Sequence, residues 1–234
     1  MPKHEASLKL GAAGVALIAA TLASREAQAG SARLLVFLHV AVKQRALQGQ
    51  FQNALPGVDV TAVGRIGDFE RSLKEGADTV MALPIVLSAY KLTPTLRGMR
   101  GGSSEEKYSL VAVGSAPDPA TVTSVGALDV LGRGGTTSFV HMMVGSSPRV
   151  ERVPKVEDLL PLLQMQRVAA VMIPSRLFSE ISSASKLPLA QSSLSKVSGL
   201  PAVASITGTG AQVVAAIKKM PLALSKTLGV DAWD

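Results

Sequence analysis

Short apolar runs alternate with mixed stretches along most of the chain. Arg33 to Val40 (RLLVFLHV) is nearly continuous apolar sequence, the pattern of a strand covered on both faces. The polar-apolar stretch from Ala41 to Leu55 predicts a helix stopped by Pro56-Gly57. Val58 to Val63 (VDVTAV) is β-branched and predicts the second strand. A helix follows, with Asp68 as N-cap, Glu70 and Lys74 spaced to pair, and Gly76 as its stop. Thr79 to Leu83 predicts a third strand, and Pro84 opens a new segment. This β-α-β-α-β order implies a parallel sheet with helices on both faces.

Residues 91–107 change character: Pro94, Gly98, Gly101, Gly102, Ser103 and Ser104 predict a surface loop, with Glu105 and Glu106 solvated in it. Ser109 to Val113 predicts a strand, and Ala116 to Pro119 a linker. A second α/β unit comes next. Ala127 to Leu131 reads as a strand, Gly132 to Gly135 as a tight glycine loop, and Thr136 to Val144 as a helix. Strands are expected at Arg149 to Val153, Val168 to Ile173, Leu187 to Leu194 and Leu200 to Ile206. Helices are expected at Val156 to Gln166, kinked by Pro161, at Ser175 to Ser185, and at 210–219 and 222–228. Residues 67–84 and 156–174 share a plan of acidic helix start, apolar helix and apolar strand ending in proline. Either two pseudo-symmetric lobes or the common look of α/β units accounts for that echo.

Composition narrows the chemistry. The chain is 47% apolar, which excludes a disordered protein, and it has no cysteine, which excludes disulfides, thiolate metal sites and a Cys nucleophile. Only 3% of residues are aromatic, against stacking-based binding of sugars or single-stranded nucleic acid. The net charge of +7 is spread along the chain without Lys/Arg clusters, so it reads as surface charge rather than a nucleic-acid footprint.

The N-terminus reads as a secretory signal over residues 1–29. Lys3, His4 and Lys9 precede the uncharged run Leu10 to Ala23, and Ala27-Gln28-Ala29 has the small-x-small form of a cleavage site. The run is too short to span a bilayer. A periplasmic protein starting at Gly30, with no membrane insertion after cleavage, is the expectation.

The exported start, RLLVFLHV, GADTVMALP, LGRGGTTSFV and VAAVMIP together resemble a type 2 periplasmic solute-binding protein, nearest the phosphate/phosphonate-type subfamily of ABC transporters. The resemblance implies a two-lobed α/β fold. Two small mixed or parallel sheets would be flanked by helices, with a ligand cleft between the lobes. Residues 30–115 plus 200–234 would form one lobe and 116–199 the other, with hinge motion about 115–125 and 194–200. Where the family's loop is rich in hydroxyls, the matching stretch here is Gly134-Gly135-Thr136-Thr137-Ser138-Phe139.

Candidate ligand residues follow from local chemistry. Arg133, Gly134, Gly135, Thr136, Thr137 and Ser138 lie between a strand and a helix, where glycines admit a ligand and free N–H groups suit an oxyanion. A plain β-to-α turn with Thr136 as cap is the alternative. Pro84 and Ser175-Arg176 lie just past the carboxyl ends of equivalent strands, where open α/β sheets bind ligands. Capping alone is the more frequent explanation for such a serine. Tyr90 either reaches over the cleft or is buried with a local partner, and His39 ends the first strand at the same cleft edge.

No catalytic or metal-binding motif is present, and no cofactor is called for. A hydrolase would need Ser175 or Ser138 within reach of His39 or His141. The expectation is a non-enzymatic protein that captures a small anion for a membrane permease complex. The alternative is an exported accessory or sensor protein of the same fold acting through a protein partner.

Overall fold

Residues 31–234 are described in the computed structural model; the proposed signal lies outside them. β1 (Ala32–Phe37) forms because its apolar run can be buried on two sides. Leu35 and Phe37 face one core while Leu34 and Val36 face another. β1 pairs in parallel with β2 (Val58–Val63) and β3 (Thr79–Ala82), linked by helices α1 (Gln44–Ala54) and α2 (Ile66–Glu75). Arg65 occupies the N-cap of α2. Asp68 sits in the first turn, still at the positive end of the helix dipole. Pro84 is the first residue of α3 (Pro84–Ala89), where its missing N–H costs no bond.

The stretch expected to be a loop holds two strand segments instead. β4 (Leu96–Met99) and β5 (Glu105–Val113) are joined by a tight turn in which Arg100 and Ser103 bond and Gly101 and Gly102 carry positive φ. Polar sequence masked β5 because its alternation is compressed into EEKY: Glu105 and Lys107 are exposed, Glu106 and Tyr108 buried. Glu106 is therefore not a solvated loop residue.

β6 (Ser124–Leu128), α4 (Gly132–Val144), β7 (Arg149–Val153), α5 (Leu159–Gln164), β8 (Ala170–Pro174) and α6 (Phe178–Ala184) repeat the first unit's plan. Pro161 produces no mid-helix kink. A 3₁₀ turn at Val156–Asp158 precedes α5, and Pro161 falls in the first turn, where a missing N–H is tolerated. β9 (Leu189–Gly199) is longer than expected because it pairs antiparallel with the whole of β5. β10 (Ala202–Ser205), α7 (Gly210–Lys218), α8 (Leu222–Thr227) and β11 (Ala232–Trp233) complete the chain.

Two mixed sheets result, ordered β11-β4-β10-β3-β1-β2 and β7-β6-β8-β5-β9. The sequence β2-β1-β3-β10-β4 matches β7-β6-β8-β5-β9 position for position. In each sheet, the strand lying antiparallel beside β3 or β8 is the one that arrives immediately after the chain crosses from the other sheet. The echo between 67–84 and 156–174 thus falls on equivalent α-β units. β5 was expected in the first lobe but belongs to the second sheet. The division therefore falls between β4 and β5, not at 115/116. The expected hinge at 115–125 lies inside the second unit, linking β5 to β6. The crossings are Arg100 to Ser104 and Leu200 to Pro201. The Leu200 N–H donates to Ser104 O at 2.8 Å, tying them together. Gly98 permits the close approach, since a Cβ there would sit 2.7 Å from Pro201 O.

One core lies under α1, α7 and α8 on the outer face of the first sheet. The other runs without a break from Leu35, Phe37 and Val80 of the first lobe to Leu110, Val125 and Met172 of the second. Trp233 packs against the outer core and holds the C-terminal strand on β4.

Candidate functional site

The carboxyl ends of β1, β3, β6 and β8 converge where the lobes meet. The middle of that junction is apolar and almost full. Leu38, Leu83, Leu128, Val130, Phe139 and Met172 leave a cavity of only about 40 Å³. Beside it, toward β2 and β7, a cleft of about 420 Å³ opens, lined by both lobes. His39, Gln44, Gly64 and Arg65 line it from the first lobe, and Pro154, Lys155 and Glu157 from the second.

Two residues of this lining carry a polar atom shielded from water and unpartnered, His39 Nε2 and Gln44 Oε1, and His39 also lines the small central cavity. The Gln44 amide is oriented by its other end, because Nε2 donates to Leu38 O at 3.0 Å. Flipping it would set oxygen against oxygen, so Oε1 is an acceptor awaiting a donor. Gly64 makes room for this side chain: a Cβ there would lie 3.1 Å from Gln44 Cγ. The His39 ring packs edge-on against Phe37 at 5.1 Å between centroids. Desolvation lowers its pKa from 6.5 to about 4, outweighing the opposing pull of the Asp129 charge and a backbone hydrogen bond with Gly64. The ring is neutral at pH 7. Its Nε2 has no partner, as donor or as acceptor. Lys43, Arg65 and Lys155 stand exposed at the mouth and form no ion pair among the described residues.

The other candidates are placed differently. α4 begins at Gly132, so Arg133, Gly134 and Gly135 are its first turn rather than a loop. Gly135 serves packing, since a Cβ would meet Leu131 Cβ at 2.6 Å. Thr136 is fully buried and turned inward. Its Oγ1 accepts from the Leu131 N–H and donates to Asp129 Oδ1, both at 2.9 Å. Thr137 Oγ1 donates to Arg133 O at 2.8 Å. Arg133 and Ser138 are exposed and line neither cavity. The carboxylate Asp129, also paired to Arg152 at 2.6 Å, occupies the inner side of this turn. Two of the three hydroxyls expected to hold an oxyanion, those of Thr136 and Thr137, donate within the turn and helix instead.

Tyr90 donates to Glu70 Oε1 at 2.8 Å on the surface of its own lobe. Burial first, and then Glu70, push its hydroxyl up to about 12. Pro84 packs against Gly199 at the second crossing, where a Cβ would come within 2.5 Å of its ring. Ser175 shares a 2.8 Å hydrogen bond with Ser109 of β5. Arg176 lines the small central cavity, and its Nε donates to Glu106 Oε2 at 2.9 Å. Arg100 holds the other oxygen of Glu106 at 2.8 Å. His141 Nε2 lies 3.0 Å from Pro148 O. No Ser–His hydrogen bond occurs among the described residues.

Sequence reasoning found His39 but missed Gln44, Glu106 and Asp129. Gln44 is the first residue of α1, the helix that follows β1. It was hidden because the helix was expected to start at Ala41, which put Gln44 inside it.

No protein-family model matches the sequence, and no curated protein sequence matches it. Solved structures do match in fold. The VFT2 domain of Bordetella pertussis BvgS, a periplasmic domain, is 14% identical at a TM-score of 0.58, over 90% of this chain and 97% of that one. Arginine-bound ArgBP from T. maritima is 14% identical at a TM-score of 0.53, over 90% and 98%. The amino acid ABC transporter substrate-binding protein AbpA from Streptococcus pneumoniae, bound to L-arginine, is 18% identical at a TM-score of 0.53, over 87% and 94%. The chain has the two-lobed α/β fold of type 2 periplasmic binding proteins. The phosphate/phosphonate likeness drawn from the sequence gains no support from these structures. Among the described residues, no helix is long and apolar enough to cross a membrane.

Proposed function

We propose that this protein is a solute-binding protein that closes two lobes on a small molecule in the cleft beside His39, and delivers it to a membrane permease outside the cytoplasm. One observation carries the reading: a cleft of about 420 Å³ is lined by both lobes, and two of its lining residues, His39 and Gln44, each hold a buried polar atom without a partner. Buried polar groups are nearly always satisfied, so a pair left open in one cleft is suited to a ligand. Residues of both lobes on the lining supply the differential contact that lobe closure requires. The N-terminal secretion signal expected from the sequence agrees with this setting, and so does the fold.

An oxyanion at residues 133–138 is disfavoured because the buried Thr136 hydroxyl donates to Asp129 and the Thr137 hydroxyl donates to Arg133 O. The test is a thermal-shift screen of the dialysed protein against amino acids, amines, carboxylates, phosphate, phosphonates and sulfate. A ligand at a hundred times its Kd stabilises by about 2.7 kcal/mol. A hit whose shift is abolished by a bulky substitution at Gly64 supports the cleft. A blank across the whole screen overturns solute binding and leaves a protein partner as the role of the fold.

A further inference from the structure

In an open α/β sheet, a few polar groups usually converge on a ligand at the carboxyl ends of the strands. Here those ends carry apolar side chains from both lobes. Leu38 and Leu83 of the first lobe meet Leu128, Val130, Phe139 and Met172 of the second around the cavity of about 40 Å³. All but Leu83 are 9% exposed or less, so the two lobes bury one another's surface. One apolar core crosses the junction, holding Phe37 and Val80 together with Leu110 and Val125, and Leu83 packs against it.

Polar ties add to this closure. The Leu200 N–H donates to Ser104 O between the two crossings, and Arg100 of a crossing holds Glu106 of the second sheet. Arg176 of the second lobe reaches the first, where a Cβ on Gly229 would lie 2.5 Å from its Nε. These contacts are between the chain's own groups, so they favour closure whatever occupies the side cleft. Separating the lobes would return the apolar side chains to water. Against closure stand His39 Nε2 and Gln44 Oε1, which lose water and gain no partner. An unsatisfied polar atom and a buried leucine are energies of the same order, so six apolar side chains outweigh two polar atoms.

We infer that the two lobes are latched shut by their own apolar side chains, so that opening rather than closure is the step a solute awaits. This goes beyond the solute-binding reading, in which re-closure then traps the solute.

Double electron–electron resonance between two spin labels tests the latch. The chain has no cysteine, so Thr61→Cys in the first lobe and Ser147→Cys in the second, both exposed and both outside the cleft lining, give two unique label sites. The full chain is unfolded in urea, dialysed and refolded before measurement, which strips any co-purified solute. The expected result is one narrow distance, equal to that of the structure, with fewer than a tenth of the molecules at longer separations. Leu83→Asp should move at least half of them to longer separations. Leu83 is the N-cap of α3, where an aspartate suits the helix, so this variant should keep its helix signal in circular dichroism. Val130→Lys, which charges the junction from the other lobe, should act the same way. A mostly long or broad distribution in the parent protein overturns the latch, and so does a narrow one that neither folded variant lengthens. Where both variants lose their helix signal, the parent's distribution alone decides. A solute from the thermal screen that shortens an open parent overturns the latch and leaves solute binding standing. A blank screen with one narrow distance removes the solute and leaves the latch.

Discussion

Glu106 and the His39–Gln44 pair are polar groups withdrawn from water where the lobes meet, and their surroundings differ. Glu106 is 2% exposed, and both its oxygens are taken, one by Arg100 and one by Arg176. Arg176 in turn lies on Gly229 of the first lobe, so this cluster links the second lobe to the first at the crossings. Its buried carboxylate is fully paired, as a structural ionic cluster must be. By contrast, Gln44 satisfies one end of its amide and leaves the other open, and His39 Nε2 has no partner. A complete cluster fixes geometry, whereas an incomplete one in a roomy cleft is poised to accept something. His39, Glu106 and Arg176 all line the small central cavity, and the completeness of their hydrogen bonding separates scaffold from site.

The contrast can be broken most forcefully at Glu106. Glu106→Ala leaves two guanidiniums facing each other without a counter-charge, and should cost about 3 kcal/mol in urea unfolding. A loss below about 1 kcal/mol would place the cluster with screened surface pairs. His39 should give an effect of similar size that depends on pH. Its native pKa of about 4 lies below the unfolded value of 6.5, so between those values the unfolded chain binds a proton that the native ring refuses. Stability is full above the window and falls as the pH drops through it, by up to about 3 kcal/mol. His39→Phe should flatten that decline when unfolding is compared at the two ends.

Gly229→Ala comes next. The residue has φ of +80°, and its Cβ would fall 2.5 Å from Arg176 Nε, so a loss of about 2 kcal/mol is expected, with weaker protection of the crossing amides in hydrogen exchange. Thr136→Val should cost about 1 to 2 kcal/mol, because the Leu131 N–H loses its acceptor, and should leave ligand affinity unchanged. Gln44→Leu is the smallest and most diagnostic for stability. Losing the bond to Leu38 O is offset by removing an unsatisfied acceptor, so the unfolding midpoint should barely move while ligand binding falls. Equal losses of stability in Glu106→Ala and Gln44→Leu would erase the distinction between the two regions.

Much of the fold is legible in local sequence. β2 and β7 fall where the β-branched run VDVTAV and the segment RVERV predict them, and α7 and α8 lie within a residue of their expected ends. These elements carry their own periodicity and stop signals. The crossing segment does not. Arg97, Gly98 and Arg100 to Ser104 look like loop, because β4 is held by backbone pairing with β10 and β11, which come over a hundred residues later. The candidate site was legible only at His39, which ends an obvious strand. Thr136 has the right chemistry for a ligand, but Asp129 and the Leu131 N–H claim it first.

The sequence by itself determined the alternation of strands and helices, the two repeated units and the secretion-like start, because each depends on neighbours within a few residues. The tertiary structure alone decided which polar groups are spent and which are free. It did so by bringing Glu106 to Arg176, Thr136 to Asp129, and Gln44 across Gly64 to the Leu38 carbonyl. Whether a buried atom has a partner depends on what folding brings to it, so the unpartnered atoms of His39 and Gln44 could be found only once the chain was closed on itself.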